Sequence, residues 1–229
     1  PRPSQSQILR LQGQRRLSMQ SIHDEIIKHL PRAEESRRLF HGRGHCFAGY
    51  EDLLIDYFPP VVMVTLYQKR SQAWLKELTE MLISTLPEQP QTILLQERFL
   101  ANGPSRLLHG TMPEDIEARE AGLSFRLRLG EAQNIGFFPD MAAGRKLVRE
   151  RATDKRVLNL FAYSCSFSVA ALAGGATQVV NLDMNRGALE LGRRNHQLNN
   201  IDLRKASFLP LEFFRSLSKL KKIGPFDLV

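Results

Sequence analysis

The first half of the chain carries helical and strand-like hydrophobic patterns in turn. Apolar residues recur at helical spacing from Met19 to Leu30, and Pro31 ends the helix that this spacing predicts. The segments LLIDYF and VVMVTLY are apolar almost throughout and meet at Pro59-Pro60. Two such runs joined by turn residues predict a β-hairpin.

The pattern then returns to a helix with an apolar face over 74–86, followed by a strand over 92–96. Residues 98–120 show little periodicity, so no helix or strand is predicted in this segment. From Leu123 to Leu129 apolar residues alternate with Ser and Arg, the pattern of a half-buried strand. The next segment, GEAQNIGFFPDMAAGRKLVRE, predicts a loop that becomes a helix at or soon after Met141.

Residues 157–183 have the order of half of a nucleotide-binding α/β unit. An apolar strand, Val157 to Phe161, runs into a loop of small residues, Ala162 to Ser166. A short apolar helix follows, and a second apolar strand ends on the lone acid Asp183. A carboxylate about 20 residues beyond such a loop can accept hydrogen bonds from two vicinal ribose hydroxyls. The alternative is that Asp183 only caps the next helix, although Asn185 is an equally good cap.

Further alternation of helix and strand completes an α/β pattern. The predicted elements are a helix over Arg186 to Asn199, a strand over Ser207 to Leu209, a helix over Phe213 to Leu220 and the start of a fourth strand over Phe226 to Val229. The fold class is therefore α/β, a Rossmann-like sheet preceded by a small α+β domain. The predicted divisions are a basic arm over 1–16, the α+β domain over 17–118 and the Rossmann-like domain over 119–229.

Composition limits the classes of function. The net charge is +8, with eight Lys/Arg against four acids in residues 1–38 and nine against three in 186–222. Such patches suit RNA phosphates but also serve solubility. No apolar run is long enough to span a bilayer, and Cys46 and Cys165 do not suggest a disulfide framework, so we expect no membrane and a cytoplasmic protein. No Cys/His spacing predicts a metal.

Five blocks in order resemble the class I S-adenosylmethionine-dependent methyltransferases of large-subunit ribosomal RNA, which include 23S cytosine-5 enzymes and a guanine-N7 enzyme. The blocks are RLFHGRGHCFAGYEDLLIDYF, EAGLSFRLRLGEAQNIGFFPDMAAGR, VLNLFAYSCSFSVAALAGGA, VVNLDMNRGALELGRRNHQLNN and FDLV. The resemblance covers roughly 38–229. It implies a cofactor, S-adenosylmethionine, a substrate in ribosomal or other structured RNA, and a methyltransferase sheet that is here incomplete at its C-terminus, after its fourth strand. A homodimer is also expected.

The resemblance also implies site residues. Asp183 would hold the cofactor ribose, Phe161 would lie near the ligand, and Glu212 would reach the adenine amino group. The remaining expected cofactor-binding residues are Ala162, Tyr163, Ser164, Cys165, Ser166, Gln133, Phe138 and Asp140.

Each of these residues has a structural alternative. Glu212 is equally suited to the start of its helix, where the helix dipole favours a carboxylate. Gln133 would satisfy loop backbone groups, and Asp140 would cap the following helix. Of the adjacent Phe137 and Phe138, at most one faces a ligand and the other is core. Arg145 and Arg149 are expected on a solvated helix face, and the histidines, His196 among them, in structural or surface roles.

The sequence departs from the family in two places. The family loop reads Tyr-Thr-Gly-Gly-Phe or close to it, whereas here it is Tyr163-Ser164-Cys165-Ser166-Phe167. A Cys or Ser at positive φ in place of glycine costs about 1 kcal/mol. Cys165 is interpreted as a loop filler, because the family's nucleophilic cysteine comes later. The sequence also ends at Val229, before the family's Asp-Pro-Pro motif, so no catalytic residue is assigned.

Three functions remain open. The first is a methyltransferase acting on a base of 23S ribosomal RNA. The second is a non-catalytic RNA-binding or assembly module with a vestigial cofactor pocket. The third, a nicotinamide-dependent oxidoreductase, is disfavoured because the G-x-G-x-x-G turn is missing.

Overall fold

The computed structural model describes residues 19–30, 34–44, 47–131 and 133–229. The predicted basic arm over 1–16 lies outside the described residues. The chain divides into two compact units, one comprising Pro1–Glu114 with Gly130–Gln133 and the other Asp115–Leu129 with Asn134–Val229. In the described ranges no helix is long and apolar enough to cross a bilayer.

In its described residues, the first unit is a five-stranded sheet with two helices. Its elements are α1 (19–29), β1 (Arg37–His41), β2 (Leu53–Phe58), β3 (Val61–Leu66), α2 (Gln72–Thr85), β4 (Thr92–Glu97) and β5 (Ser105–Gly110). The strand order is β1-β2-β3-β4-β5, with β3 and β4 parallel and the other pairs antiparallel. Phe58 pairs with Val61, which confirms the predicted hairpin.

The strands β2, β3 and most of β4 are buried, which explains their uninterrupted apolar sequences. Strand β5 was not predicted, because its residues, SRLLHG, are half-buried or exposed and carry no alternating pattern. It forms by backbone pairing along β4 rather than by burying its own side chains.

The second unit contains a hairpin and a doubly wound parallel sheet. Its elements are β6 (Glu117–Glu120), β7 (Leu123–Arg126), α3 (Ala142–Arg151), β8 (Arg156–Leu160), α4 (Ser166–Ala173), β9 (Gln178–Asp183), α5 (Arg186–Leu198), β10 (Ala206–Pro210) and α6 (Leu217–Ile223). The sheet order is β10-β9-β8, all parallel. Beyond β8, Leu228 makes one parallel bridge to Val157. In chain order, β8, β9, β10 and the segment at Leu228 are the first to the fourth, so their spatial order is third, second, first, fourth. This is the strand order of one half of a dinucleotide-binding fold.

The two faces of this sheet have separate apolar cores. Val157 and Val179 pack with Ala152 and Ala171, from the ends of α3 and α4, whereas Leu158 and Val180 pack with residues of α6. Helices on both faces confirm the predicted α/β class. The helix predicted from Phe213 begins as a 3-10 turn, Phe214–Ser216, and becomes α-helical only at Leu217.

A chain of buried polar groups crosses one face of the sheet. The Asn159 amide donates to Asn181 Oδ1 at 2.9 Å, and the Asn181 amide donates to Ser168 Oγ at 3.1 Å. Ser168 Oγ lies 2.9 Å from His196 Nε2, and His196 Nδ1 lies 2.7 Å from the carbonyl of Gly192. Because a carbonyl only accepts, Nδ1 carries the proton and Nε2 accepts from Ser168. His196 is fully buried, which lowers the pKa of its imidazole, and its two hydrogen bonds fit the structural role predicted for it.

Candidate functional site

The carboxylate of Asp183 lies at the carboxyl end of β9 and connects it to the loop that follows β8. Asp183 Oδ2 accepts a hydrogen bond from the Tyr163 N–H at 2.8 Å, and Oδ1 accepts from the Asn185 N–H at 2.8 Å. A carboxylate has about four acceptor positions, and these two bonds leave two of them for a ligand. The side chain is thus oriented by backbone groups while it keeps acceptor capacity at the end of the sheet.

Asp183 is not the N-cap of α5. That position belongs to Asn185, whose Oδ1 accepts from the Ala188 N–H at 3.0 Å. The helix start is therefore satisfied without Asp183, and the capping alternative considered from the sequence does not account for this carboxylate.

The loop between β8 and α4 has an unusual backbone. Phe161, Tyr163 and Cys165 have φ values of 52°, 46° and 59°, in the left-handed region that favours glycine. The Ala162 N–H donates to the Leu182 carbonyl at 3.0 Å, and the Cys165 N–H donates to the Ala162 carbonyl at 2.7 Å. The amides of Ala162, Tyr163 and Cys165 are thus used within the protein.

Cys165 fills the interior of this loop. Its side chain is fully buried at 0% exposure, and its Sγ lies 3.7 Å from the Tyr163 carbonyl. Burial raises the pKa of the Cys165 thiol, with a smaller contribution from the charge of Asp183, so the thiol stays protonated. The interpretation of Cys165 as a loop filler fits this environment.

Tyr163 and Ser164 hold the Gly-Phe-Phe segment against the loop. The Tyr163 hydroxyl accepts from the Gly136 N–H at 2.9 Å, and the Ser164 hydroxyl donates to the Gly136 carbonyl. Burial raises the pKa of Tyr163. The Ser164 carbonyl in turn accepts from the Asn195 amide at 3.0 Å, and Asn195 Oδ1 accepts from the Arg126 N–H at 2.9 Å. Helix α5 thereby joins the loop to β7, a connection the sequence did not indicate.

The two adjacent phenylalanines separate as predicted. Phe137 is buried and stacks on Phe125, with ring centroids 4.9 Å apart. Phe138 is 45% exposed, and its ring centroid lies 5.4 Å from that of Tyr163. Phe138 is therefore the member of the pair that is available to a ligand.

The prediction that Arg145 lies on a solvated helix face is wrong. Arg145 is only 2% exposed and makes a bidentate ion pair with Glu120, with Nε–Oε1 and Nη2–Oε2 distances of 2.7 Å. Its Nη2 also donates to the Phe138 carbonyl at 3.0 Å, and its guanidinium lies 4.2 Å from the Phe137 ring centroid. Arg145 thus fixes the position of the Phe137-Phe138 segment through contacts with the Phe137 ring and the Phe138 carbonyl. Arg149, one turn later, is half-buried and donates to the Ala121 carbonyl at 2.8 Å.

The remaining predicted residues fall in different environments. Asp140 is exposed in the 3-10 turn Pro139–Met141. Gln133 belongs to the first unit, where its carbonyl accepts from Arg98 Nη1 at 2.6 Å and from Gln96 Nε2 at 3.3 Å. Ser166 begins α4.

Glu212 is engaged by the backbone that follows it. Its carboxylate accepts from the Phe214 N–H at 3.0 Å and from the Arg215 N–H at 2.8 Å. These bonds, the one from Arg215 first, lower the pKa of Glu212. The residue therefore has the helix-start role that was weighed from the sequence, and each oxygen still has one acceptor position.

Exposed apolar side chains lie beside the loop and Asp183. Phe161 is 74% exposed, and its ring centroid lies 6.0 Å from that of Phe213. Met184, next to Asp183, is largely exposed, as is Phe214. Sequence analysis missed Met184 and Phe213; the only signal was their position directly after Asp183 and Glu212. Exposed apolar side chains clustered at a strand end are typical of a ligand-binding surface.

Comparisons with known proteins agree with this geometry. A family model described as S-adenosylmethionine-dependent methyltransferase matches residues 37–229. The chain is 36% identical over 132 residues to ribosomal RNA large subunit methyltransferase I of Cronobacter sakazakii, covering 57% of the chain and 33% of that protein. It is 26% identical over 187 residues to the protein of the same name from Aeromonas salmonicida, covering 79% and 47%.

A solved structure gives the same fold. SMU.776, described as a methyltransferase complexed with SAH, superimposes with a TM-score of 0.73 at 25% identity, over 84% of this chain and 50% of that one. The chain thus spans half or less of the length of these relatives. The family model covers most of the chain, residues 37–229. The chain belongs to the S-adenosylmethionine-dependent methyltransferase family.

Proposed function

We propose that this chain binds S-adenosylmethionine at the carboxyl ends of β8 and β9 and serves the methylation of a base in large-subunit ribosomal RNA. The observation that carries the proposal is the orientation of Asp183. Its two oxygens are held by the Tyr163 and Asn185 amides at 2.8 Å and keep two acceptor positions. That arrangement suits a pair of vicinal ribose hydroxyls.

The surroundings of Asp183 fit the rest of the cofactor. Phe161 and Met184 offer exposed apolar surface on which an adenine ring could stack. Glu212 keeps an acceptor position on each oxygen after capping its 3-10 turn, which fits an exocyclic amino group. Apart from Tyr163, whose hydroxyl accepts from Gly136, the residues from Ala162 to Ser166 are small and leave room for the methionine portion. Asp140 and the exposed Phe138, next to Tyr163, would cover it.

When bound, S-adenosylmethionine supplies an electrophilic methyl group on a sulfonium. The residues of this chain would contribute by positioning, which is the main requirement of an in-line displacement. Cys165 is not proposed as a nucleophile, because burial raises the pKa of its thiol and its Sγ is enclosed by the loop. The residue that contacts the accepting base is left unassigned.

The RNA substrate is inferred from relatives and from charge. Two relatives are named as large-subunit ribosomal RNA methyltransferases, and the net charge of +8 is suited to a polyanion. A role for the first unit in holding RNA, a homodimeric assembly and a cytoplasmic location belong to the same proposal. Sedimentation velocity of the purified chain would test the dimer.

Calorimetric titration with S-adenosylhomocysteine tests the cofactor proposal. We expect binding by the wild type and a loss of about 2 kcal/mol in binding free energy for Asp183→Asn, since hydrogen bonds to a charged group are worth that much. Asp202→Asn is the matched control, because Asp202 also accepts a backbone hydrogen bond at a turn but precedes β10, at the end of the sheet opposite to Asp183.

Two outcomes would redirect the proposal. Binding of NAD in place of S-adenosylhomocysteine would support the oxidoreductase alternative. Binding of RNA without either cofactor at millimolar concentration would support the non-catalytic alternative. Equal affinities for wild type and Asp183→Asn would remove Asp183 from the site.

A further inference from the structure

One edge of the first unit's sheet brings together two arginines and a tyrosine that follow three separate strands. Strands β1, β3 and β4 run in the same direction, because β1 and β3 are each antiparallel to β2 and β4 is parallel to β3. Their carboxyl ends therefore lie along one edge. Arg43 follows β1, Tyr67 follows β3 directly and Arg98 follows β4 directly. These three residues form what is here termed the Arg–Tyr–Arg stack.

Both arginines of the stack pack against one aromatic ring. The guanidinium carbon of Arg43 lies 4.4 Å from the Tyr67 ring centroid, and that of Arg98 lies 5.8 Å from it. Arg98 is further oriented by its bond to the Gln133 carbonyl at 2.6 Å. Stacking on an aromatic ring orients the planar guanidinium and leaves its edge N–H groups to donate elsewhere.

Among the residues that the structure describes, no carboxylate neutralises the charges of the stack. In the described ranges neither Arg43 nor Arg98 has a carboxylate within ion-pairing distance, and the nearby Glu97 pairs instead with Arg106 at 3.4 Å. Arg70 provides the contrast: it lies near the same edge, but its guanidinium forms an ion pair with the buried Asp52 and stacks near Tyr50 and Trp74. Arg70 therefore stabilises the fold, whereas the cationic groups of the stack remain available.

We infer that the Arg–Tyr–Arg stack of Arg43, Tyr67 and Arg98 binds the phosphodiester backbone of the RNA substrate. Two guanidinium groups against one ring are close enough to contact phosphates of the same strand. Arginine donors match phosphate geometry, and neutralising phosphates releases counterions. The inference rests on the proposed function, because it assigns a substrate-binding surface to the same protein.

The salt dependence of RNA binding tests the inference. The full chain and its Arg43→Gln/Arg98→Gln variant are titrated with a large-subunit ribosomal RNA transcript at several salt concentrations. We expect Kd to rise roughly 10-fold or more at low salt, and the slope of log K against log salt to fall in magnitude by about 0.7 for each lost phosphate contact. Arg37→Gln is the control, because Arg37 is exposed at the start of β1, on the opposite edge of the sheet.

Two further measurements separate this inference from its alternatives. Tyr67→Leu removes the ring but keeps both charges, so it should weaken binding several-fold while the salt slope is retained. S-adenosylhomocysteine affinity of Arg43→Gln should match the wild type, because Arg43 belongs to the first unit and Asp183 to the second.

Unchanged Kd and slope in the double variant, or an equal loss in Arg37→Gln, would overturn the inference and leave the cofactor proposal intact. Wild-type protein that binds RNA but no cofactor would count against the proposed function alone. Absence of RNA binding by the wild-type protein would overturn the assignment of the Arg–Tyr–Arg stack to RNA binding.

Discussion

Gly192 in α5 leaves open the volume that the side chain of Cys165 fills. A Cβ at position 192 would lie 2.9 Å from the Cβ of Cys165 and 3.2 Å from the carbonyl carbon of Ser164. Cys165 therefore has a φ of 59°, in the region that favours glycine, and the residue that makes room for its side chain is Gly192 in α5.

Gly192→Ala should destabilise the protein. The new methyl group meets the Ser164 backbone and Cys165, and overpacking of this kind costs about 1–3 kcal/mol, which exceeds the gain in helix propensity. Urea unfolding measures the loss. Adding Cys165→Gly should recover part of it by removing the Cβ contact. Gly187→Ala is the control in the same helix, since its Cβ would approach only the Asn185 Oδ1, at 3.3 Å. Equal costs for the two glycines would contradict the packing argument.

Arg145→Met should cost about 3 kcal/mol of unfolding free energy. The substitution leaves the Glu120 carboxylate without its bidentate partner and the Phe138 carbonyl without a donor. Arg149→Met, one turn away in the same helix, should cost only about 1 kcal/mol, because that side chain is half-buried and donates to a backbone carbonyl rather than to a carboxylate. Chemical denaturation compares the two variants. Arg145→Met/Glu120→Leu, which removes both charges, should be more stable than Arg145→Met alone, and the reverse order would argue against a buried ion pair.

The stability of the fold should fall as the pH falls below about 6.5. Burial lowers the pKa of His196 from its usual value of 6.5. Just below pH 6.5 this histidine therefore binds a proton in the unfolded chain but not in the folded chain, which favours unfolding. The contribution of His196 is complete above that pH and is lost progressively below it. His196→Asn keeps a donor for the Gly192 carbonyl but cannot titrate. Urea denaturation at pH 7.5 and 5.5 measures the unfolding free energy of wild type and variant, and the wild type should lose more on acidification. Equal losses in the two proteins would show that His196 does not cause the pH dependence.

Cys165 should resist alkylation in the native protein. Its thiol is buried and its pKa is raised, so neither access nor thiolate formation favours reaction. In a Cys46→Ser background, iodoacetamide at pH 8 should modify the chain only after denaturation, as mass spectrometry would detect. Rapid labelling of the folded protein would mean that the loop opens and that Cys165 is more than a filler.

The elements built from local patterns were predictable. Buried strands such as β2 and β3 have uninterrupted apolar sequences, and the segment from β8 to Asp183 has strand, loop, helix and strand in a fixed order. These patterns express side-chain periodicity, which depends only on residues a few positions apart. Strand β5 escaped prediction because none of its residues is fully buried and its pairing depends on β4.

The sequence by itself determined that this chain has a doubly wound sheet with an acid at the end of its second strand, and through the resemblance it pointed to a methyltransferase. Only the tertiary structure decided how the site is supported. Three contacts join residues that are 25 to 31 positions apart in the sequence. They are the ion pair of Arg145 with Glu120, the hydrogen bond from Asn195 to Ser164 and the packing of Cys165 against Gly192. Such contacts depend on which faces of packed elements meet, and a one-dimensional pattern does not contain that information.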